Sequence, residues 1–507
     1  MSTDLSTDSF SIAVADSLDG PAWLRERRHA AAEDAAQMAF PSTDSEEWRY
    51  SRIGDLDLEQ FAMIQARDAD AAQTTDEIPL AVSDFIRELG QLGGSVVVYN
   101  GRIISTQLSD ELLQQGVVFG AVPDDATPKG AAEVLGAVMH EAPDLFGAYN
   151  DAFGADPVVL DVPRNLVIDL PLAVVFYVDV ADSITFPRLS VRGGENSQFS
   201  FIEASLSADV PAVVAPVTEV VVGSAARVSH SALQDVGPQV WQVGTFLAEV
   251  GQAATLDAAL AAIGGSYARL RMDCRLVGRG ASGNLSSAYF GDDHQMLDLR
   301  TFQEHQAADT TSKLLFKGAV ADHSHSVYTG LIRIKPDARG SNAYQTNRNL
   351  KLSDTAWAES VPNLEIENND VHCSHASTVG PVDEEQRFYV ESRGVPSLVA
   401  ERLIVAGFFD EVLDHFAVPA LASAARDRVN KILDSHVGAL LTSDSALLAD
   451  ASNESACVIL QSESARWPTS PMGKPCALML KATDCVWFAL TQRSSRLATG
   501  AVMQMCR

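Results

Sequence analysis

The chain is poor in cysteine, with six in 507 residues: Cys274, Cys373, Cys457, Cys476, Cys485 and Cys506. That is too sparse for a disulfide-stapled scaffold. Positive charge is also scarce, with 37 basic against 67 acidic side chains and a formal net charge of −30. Such a surface repels phosphate backbones and anionic headgroups, so neither nucleic acid nor a membrane is expected as a partner. Long apolar runs are missing. The richest, Leu170 to Val178, falls far short of the roughly 20 residues a membrane helix needs. The N-terminus, MSTDLSTDSFSIAVADS, lacks a basic n-region and an apolar h-region, so a secretory signal is not expected and the expected location is cytoplasmic. No G-x-x-x-x-G-K-[ST] loop occurs. The glycines of VRGGEN and AIGGSY lack a following lysine, so a nucleotide site in this chain is not expected. No Ser–His–Asp or H-E-x-x-H arrangement stands out, and the chain is not expected to be an enzyme.

What is present changes character along the chain. Residues 1–157 read as a helical and mixed domain. Pro21 opens the Ala- and Arg-rich run PAWLRERRHAAAEDAAQMAF, and the cluster from Pro41 to Asp44 ends it. Ser95–Tyr99 (SVVVY) reads as a strand closed by the turn signal Asn100-Gly101. From 158 to 395 short β-rich runs recur between polar or Gly-containing turns, among them VVLDV, YARLRMDCRLVGRG and VYTGLIRIKP. That pattern fits a sandwich, a barrel or a β-solenoid, and periodicity does not choose among them. From 396 to 455 helix signals return. Ser397 is a candidate N-cap, and Leu398, Leu403, Phe408, Phe409, Val412 and Phe416 form a broad apolar face.

Several separated blocks carry a family resemblance. They are EEWRYS near the N-terminus, FKGAVADHSHSVYTGLIRIKPDARGSNAYQTNRNLKLSD, VPNLEIENNDVHCSHASTVGPVDEEQRFYVESRGV and ERLIVAGFFDEVL. Their content and order, from about Ser9 to Val437, resemble the SufB/SufD family of iron–sulfur cluster assembly proteins. The resemblance implies a mainly β fold with flanking helices: a right-handed parallel β-helix core between N-terminal and C-terminal helical domains. Within the family the chain looks like the SufD branch. The stretch from Asn342 to Ser360 has no cysteine, and Cys373-Ser374-His375 stands where SufB proteins have a His-Glu pair. The implied function is a non-catalytic scaffold subunit. It would pair with a SufB-type subunit through the β-helix and with a SufC-type ATPase through the C-terminal helices. The rival readings are a SufB-like principal scaffold and a β-helix carbohydrate-active enzyme. The latter needs a cleft of clustered carboxylates that the sequence does not mark.

Cys373 and His375 are the sharpest local candidates. Thiolate and imidazole are the common protein ligands of iron–sulfur clusters, and residues at i and i+2 on a strand share a face. A lone C-x-H pair cannot close a four-ligand site, so a cluster here must be transient and shared with another chain. On spacing alone, the plainer reading stands first: Cys373 packs as a small hydrophobe and His375 bonds to backbone. The resemblance reverses that order for His375, because it matches a SufD histidine that assists SufB groups at the shared site. His323 and His325 alternate in a second pair and read as surface. His372 points opposite to Cys373, and Cys274 reads as core. Phe408 and Phe409 are candidates for the contact with the ATPase partner, or for packing within their own domain.

The composition shifts again after Ser455. Residues 456–507 hold four of the six cysteines, and six basic against two acidic side chains. No C-x-x-C spacing explains them. Reverse translation in the shifted frame allows Gln492 to Cys506 to encode E-V-F-A-I-G-D-R-C-S-H-A-D-V, which resembles the first cluster-binding loop of a Rieske-type ferredoxin. The tail is therefore expected to be an out-of-frame reading of a neighbouring ferredoxin gene, without an evolved core.

Overall fold

The computed structural model describes residues 10–64, 77–122 and 133–450, with side chains of the last helix given as far as residue 435. The expectation for the tail after Ser455 lies outside these residues. The chain divides into two units, Met1–Val437 and Gly438–Arg507, and the solenoid with its covering segments lies in the first.

Sixteen strands make the core. The odd ones are β1 (Val158–Val162), β3 (Arg188–Gly193), β5 (Val217–Val222), β7 (Val240–Val250), β9 (Tyr267–Leu276), β11 (Met296–His305), β13 (His325–Ile334) and β15 (Trp357–Ile366). The even ones are β2 (Leu172–Val178), β4 (Gln198–Ser207), β6 (Arg227–Asp235), β8 (Thr255–Ala262), β10 (Ser282–Gly291), β12 (Thr311–Val320), β14 (Ser341–Lys351) and β16 (Val371–Gly380). Odd strands pair in parallel in one sheet and even strands in the other. The chain alternates between the two, so it winds as a parallel β-solenoid of eight turns with helices at both ends. Gln198 pairs with Arg227, Arg227 with Thr255, Thr255 with Ser282 and Ser282 with Thr311, so a circuit takes about thirty residues.

The corners explain the winding. Asn165, Asn196, Ala225, Ala253, Gly280, Asp309 and Gly340 recur at one corner of successive turns, each with φ between 53° and 72°. This left-handed region suits Asn, Asp and Gly and costs alanine. The stack reinforces itself where Asn196 Nδ2 donates to Asn165 Oδ1 at 3.0 Å. Earlier in the chain, the predicted turn at Asn100-Gly101 joins Gly94–Tyr99 to Arg102–Leu108. Both turn residues have positive φ.

Strand alternation then sorts the side chains. Leu160, Val174, Phe199, Phe246, Leu256, Met272, Cys274 and Leu285 fill the bore. The outer faces are also apolar and are covered. The N-terminal segment lies on the odd sheet, where Trp48, Phe146 and Phe153 pack with Ile184, Val213, Val243, Tyr267 and Met296. Trp48 belongs to EEWRYS, and its ring lies 3.9 Å from the Arg269 guanidinium. The carbonyl of Glu47 accepts from both Arg269 and Arg300. Glu219 of β5 ties down a further N-terminal segment. Its carboxylate accepts from the backbone N–H groups of Gly136, Val138 and Met139 and from Arg188.

Three helices follow the solenoid. They are α1 (Glu384–Glu391), α2 (Ser397–Leu413) and α3 (Pro419–Asp450). Val405, Phe409, Val412, Leu413 and Phe416 pack on Ala259, Ala261, Ala288, Phe290 and Ala319. Pro396, not Ser397, occupies the N-cap of α2. Ser397 is already helical and makes no side-chain cap bond. The preceding proline imposes the extended conformation that the cap needs. The last solenoid strand ends at Gly380, and α1 follows within the span read from sequence as core.

Candidate functional site: the open end of the solenoid

The bore changes chemistry along its length. Through β10 its lining is largely apolar, with Leu285 and Tyr289 among the residues, apart from His230, which is stacked between Phe201 and Phe246 and lies 3.1 Å from Glu203. In the last turns, alternate residues become polar: Thr301, Gln303 and His305 on β11, Ser326 and Tyr328 on β13, and Ser341, Gln345, Asn347 and Asn349 on β14, all buried. Most are paired. Thr301 Oγ1 lies 2.9 Å from the Tyr328 hydroxyl, Asn347 Nδ2 donates to Tyr289 at 2.9 Å, and Asn349 Nδ2 donates to Asn347 Oδ1 at 2.7 Å. His305 sits between Thr310 and Ser312, and burial pushes its pKa down to about 4, so it is neutral near pH 7. Gln303, Gln345 and Ser326 differ: neither amide atom of the two glutamines, nor the Ser326 hydroxyl, has a partner among the described residues.

The bore ends at β15 and β16, which are the edge strands of their sheets among the described residues. Here the register places the sequence candidates. Cys373 pairs with Ala343 and His375 with Gln345, two buried, bore-facing residues of β14. Cys373 and His375 therefore share the inward face of β16 at the mouth, and His372 lies beside Asn342 on the opposite face. Cys373 is half-buried against Ile332, Ile334, Ala343 and Leu364, and burial raises its thiol pKa. It is thus protonated at neutral pH until a metal or a neighbouring charge displaces the proton. His375 is exposed. Across the mouth, Ser377 donates to Ser360 of β15 at 2.7 Å. No group of three or more His, Cys, Asp or Glu able to hold a metal ion occurs among the described residues. One thiol and one imidazole by themselves cannot close a four-ligand site.

The other sequence candidates are dispersed. His323 is in the corner before β13, where its ring stacks on His294 at 5.1 Å, and His325 meets Trp357 edge-on at 5.7 Å. Cys274 lies in the bore, where burial pushes its pKa up to about 12, so it is an inert core thiol. Phe409 is 1% exposed and packs on Phe290, which leaves it no face for a partner. Phe408 is half-buried over the Lys317 ammonium, 4.4 Å from its ring, and Lys317 also pairs with Glu411. The apolar surface these helices leave open is elsewhere: Phe388 and Tyr389 on α1, and Val399 and Leu403 one turn apart on α2. Sequence reading missed Gln345. Its signal was the alternation Ala343, Gln345, Asn347, Asn349, which resembles a solvated strand face and is a buried one.

The fold is a parallel β-solenoid with Cys373 and His375 on one face of the last strand, at an edge-exposed end. Comparison with known proteins gives the family. Residues 176–408 match "SUF system FeS cluster assembly, SufBD core domain", and residues 16–174 match "SufBD protein N-terminal region". The chain belongs to the SufB/SufD family. An "Iron-sulfur cluster assembly SufBD family protein" of Mycobacterium tuberculosis is 38% identical over 209 residues, 40% of this chain and 53% of that relative. The chain thus spans about half the length of such mycobacterial relatives. A Staphylococcus epidermidis protein of the same description is 23% identical over 419 residues, 80% of this chain and 88% of the relative. No described helix is long and apolar enough to cross a membrane.

Proposed function

We propose that this chain is the SufD-type, non-catalytic subunit of an iron–sulfur cluster assembly scaffold in the cytoplasm. The observation that carries the reading is the placement of Cys373 and His375 on one face of the last strand, at the open end of the bore. A nascent cluster is the cargo of this site. His375 and Cys373 offer one nitrogen and one sulfur ligand, and a SufB-type subunit contributes the rest. The edges of β15 and β16 are the surface on which that subunit adds its own strands, and exposed Trp357, Ile366 and Val379 lie on these strands. A SufC-type ATPase docks on the C-terminal helices and supplies the nucleotide chemistry. Its contact surface is the stripe of Phe388, Tyr389, Val399 and Leu403, with Phe408 at its border.

Coexpression with SufB-type and SufC-type chains tests this directly. Recovery of one complex that builds an iron–sulfur chromophore, lost in His375→Ala with the complex intact, is the expected result. A chain that purifies alone from such cells, or one that cleaves glycans unaided, would sink the reading.

A further inference from the structure

Gln345 lies beneath the proposed ligand pair, and the role assigned to it here rests on that reading of the site. It is 2% exposed, yet neither its amide oxygen nor its amide nitrogen has a partner among the described residues. Burial penalises such an arrangement, so an unpaired amide at this depth leaves an acceptor and a donor open to a side chain that turns inward at the mouth. The surrounding structure keeps room for it. A Cβ on Gly330 would overlap Gln345 Nε2 and the Tyr328 hydroxyl, so only glycine leaves the amide its space. The neighbouring polar residues are occupied: Tyr328 with Thr301, Asn347 with Tyr289, and Ser377 with Ser360.

The residue directly above Gln345 in the register is His375. Adjacent strands lie about 4.8 Å apart and present the same face, so a turn of the His375 ring brings it to the amide, although no hydrogen bond joins the two in this structure. A histidine that binds iron through one ring nitrogen carries its proton on the other, and that N–H requires an acceptor. We propose that Gln345 is the positioning residue that supplies it. Its Oε1 accepts the ring N–H of His375, which fixes the tautomer and leaves the second nitrogen's lone pair at the mouth for the iron of the cluster under construction. His375 is the ligand, and Gln345 acts through it.

The test uses the full-length chain, ¹⁵N-labelled at histidine, alone and with the SufB-type subunit. It reads the ring-nitrogen shifts of His375, identified by their loss in His375→Ala, and anaerobic ferrous iron binding. The unsubstituted chain is expected to show one tautomer of His375. Gln345→Met, equal in length but without an acceptor, shows a mixture and binds iron about 10- to 100-fold more weakly. Gln345→Glu keeps an acceptor and restores the single tautomer. Gln345→Asn, which withdraws the amide by one methylene, gives the mixture even if the Met variant does not fold. An unchanged tautomer in Gln345→Asn, with His375→Ala defective in iron binding, overturns the inference and leaves the site reading standing. Normal iron binding by His375→Ala overturns the site reading and this inference with it.

Discussion

Glu219→Gln should loosen the N-terminal segment from the solenoid and remove a specific part of the acid sensitivity. Burial alone would push the pKa of this carboxyl up. The Arg188 guanidinium and the N–H groups of Met139, Val138 and Gly136 outweigh burial and hold it at about 2, against an ordinary 4.5. One pKa unit is worth about 1.4 kcal/mol, so the charged form contributes about 3 kcal/mol to folding at neutral pH. The folded pKa lies below the unfolded one. The contribution is therefore complete above pH 4.5 and is lost as pH falls from 4.5 to about 2. Glutamine is nearly the same shape, but it leaves the buried Arg188 charge with only Asp151, 3.7 Å away, as a counter-charge and turns an N–H₂ toward N–H donors. A cost of about 3–5 kcal/mol follows. Hydrogen exchange at Gly136, Val138 and Met139 reads the effect locally, without requiring the whole chain to unfold in two states. Protection at these amides should fall at pH 7, and the variant should lose the part of the acid transition between pH 4.5 and 2. Unchanged exchange at these three amides at pH 7 would refute the latch.

Three other perturbations test the same geometry. His375→Ala should abolish iron–sulfur enzyme maturation in cells while the complex still assembles; Cys373→Ala should be milder, since its thiol already packs on Ile334 and Leu364. Both are read from the activity of an iron–sulfur reporter enzyme, and normal activity in His375→Ala would remove the site. Gly318→Ala would drive a Cβ into the Tyr289 ring and break the Tyr289–Asn347–Asn349 network. It should cost at least about 1–3 kcal/mol, checked by thermal unfolding against the parent chain. Phe388→Ser with Leu403→Ser should weaken ATPase docking at least about tenfold, and exposed positions of this kind shift stability by only about 0.5 kcal/mol; equal affinity in a pull-down titration would move the contact elsewhere.

Some of this was legible from residues alone. The helix after Pro21, the hairpin turn at Asn100-Gly101 and the β-rich middle follow from local rules, because capping, turn chemistry and β-branching act over a few residues. That Cys373 and His375 share a face needed only the two-residue period of a strand. Other features read wrongly or not at all. Ser397 suggested a cap that Pro396 provides, and Phe409 suggested a surface that Phe290 covers. The corner residues Asn165, Asn196, Asp309 and Gly340 recur about once per circuit. They were the sequence trace of a solenoid, but Ala225 and Ala253 interrupt their type and hide the repeat.

By itself the sequence determined the element types, the charge, the family and the candidate pair Cys373 and His375, since each is written in composition, local spacing or a motif. Only the tertiary structure decided where that pair faces and what lies behind it. Alternation says that Ala343, Gln345 and Asn347 share a face with one another. It cannot say whether that face meets water or the bore, because the choice is made by the opposite sheet, one half-turn away in the chain. Winding the strands into a closed bore made those polar residues buried, put Gln345 under His375, and left both at the end where the solenoid stops.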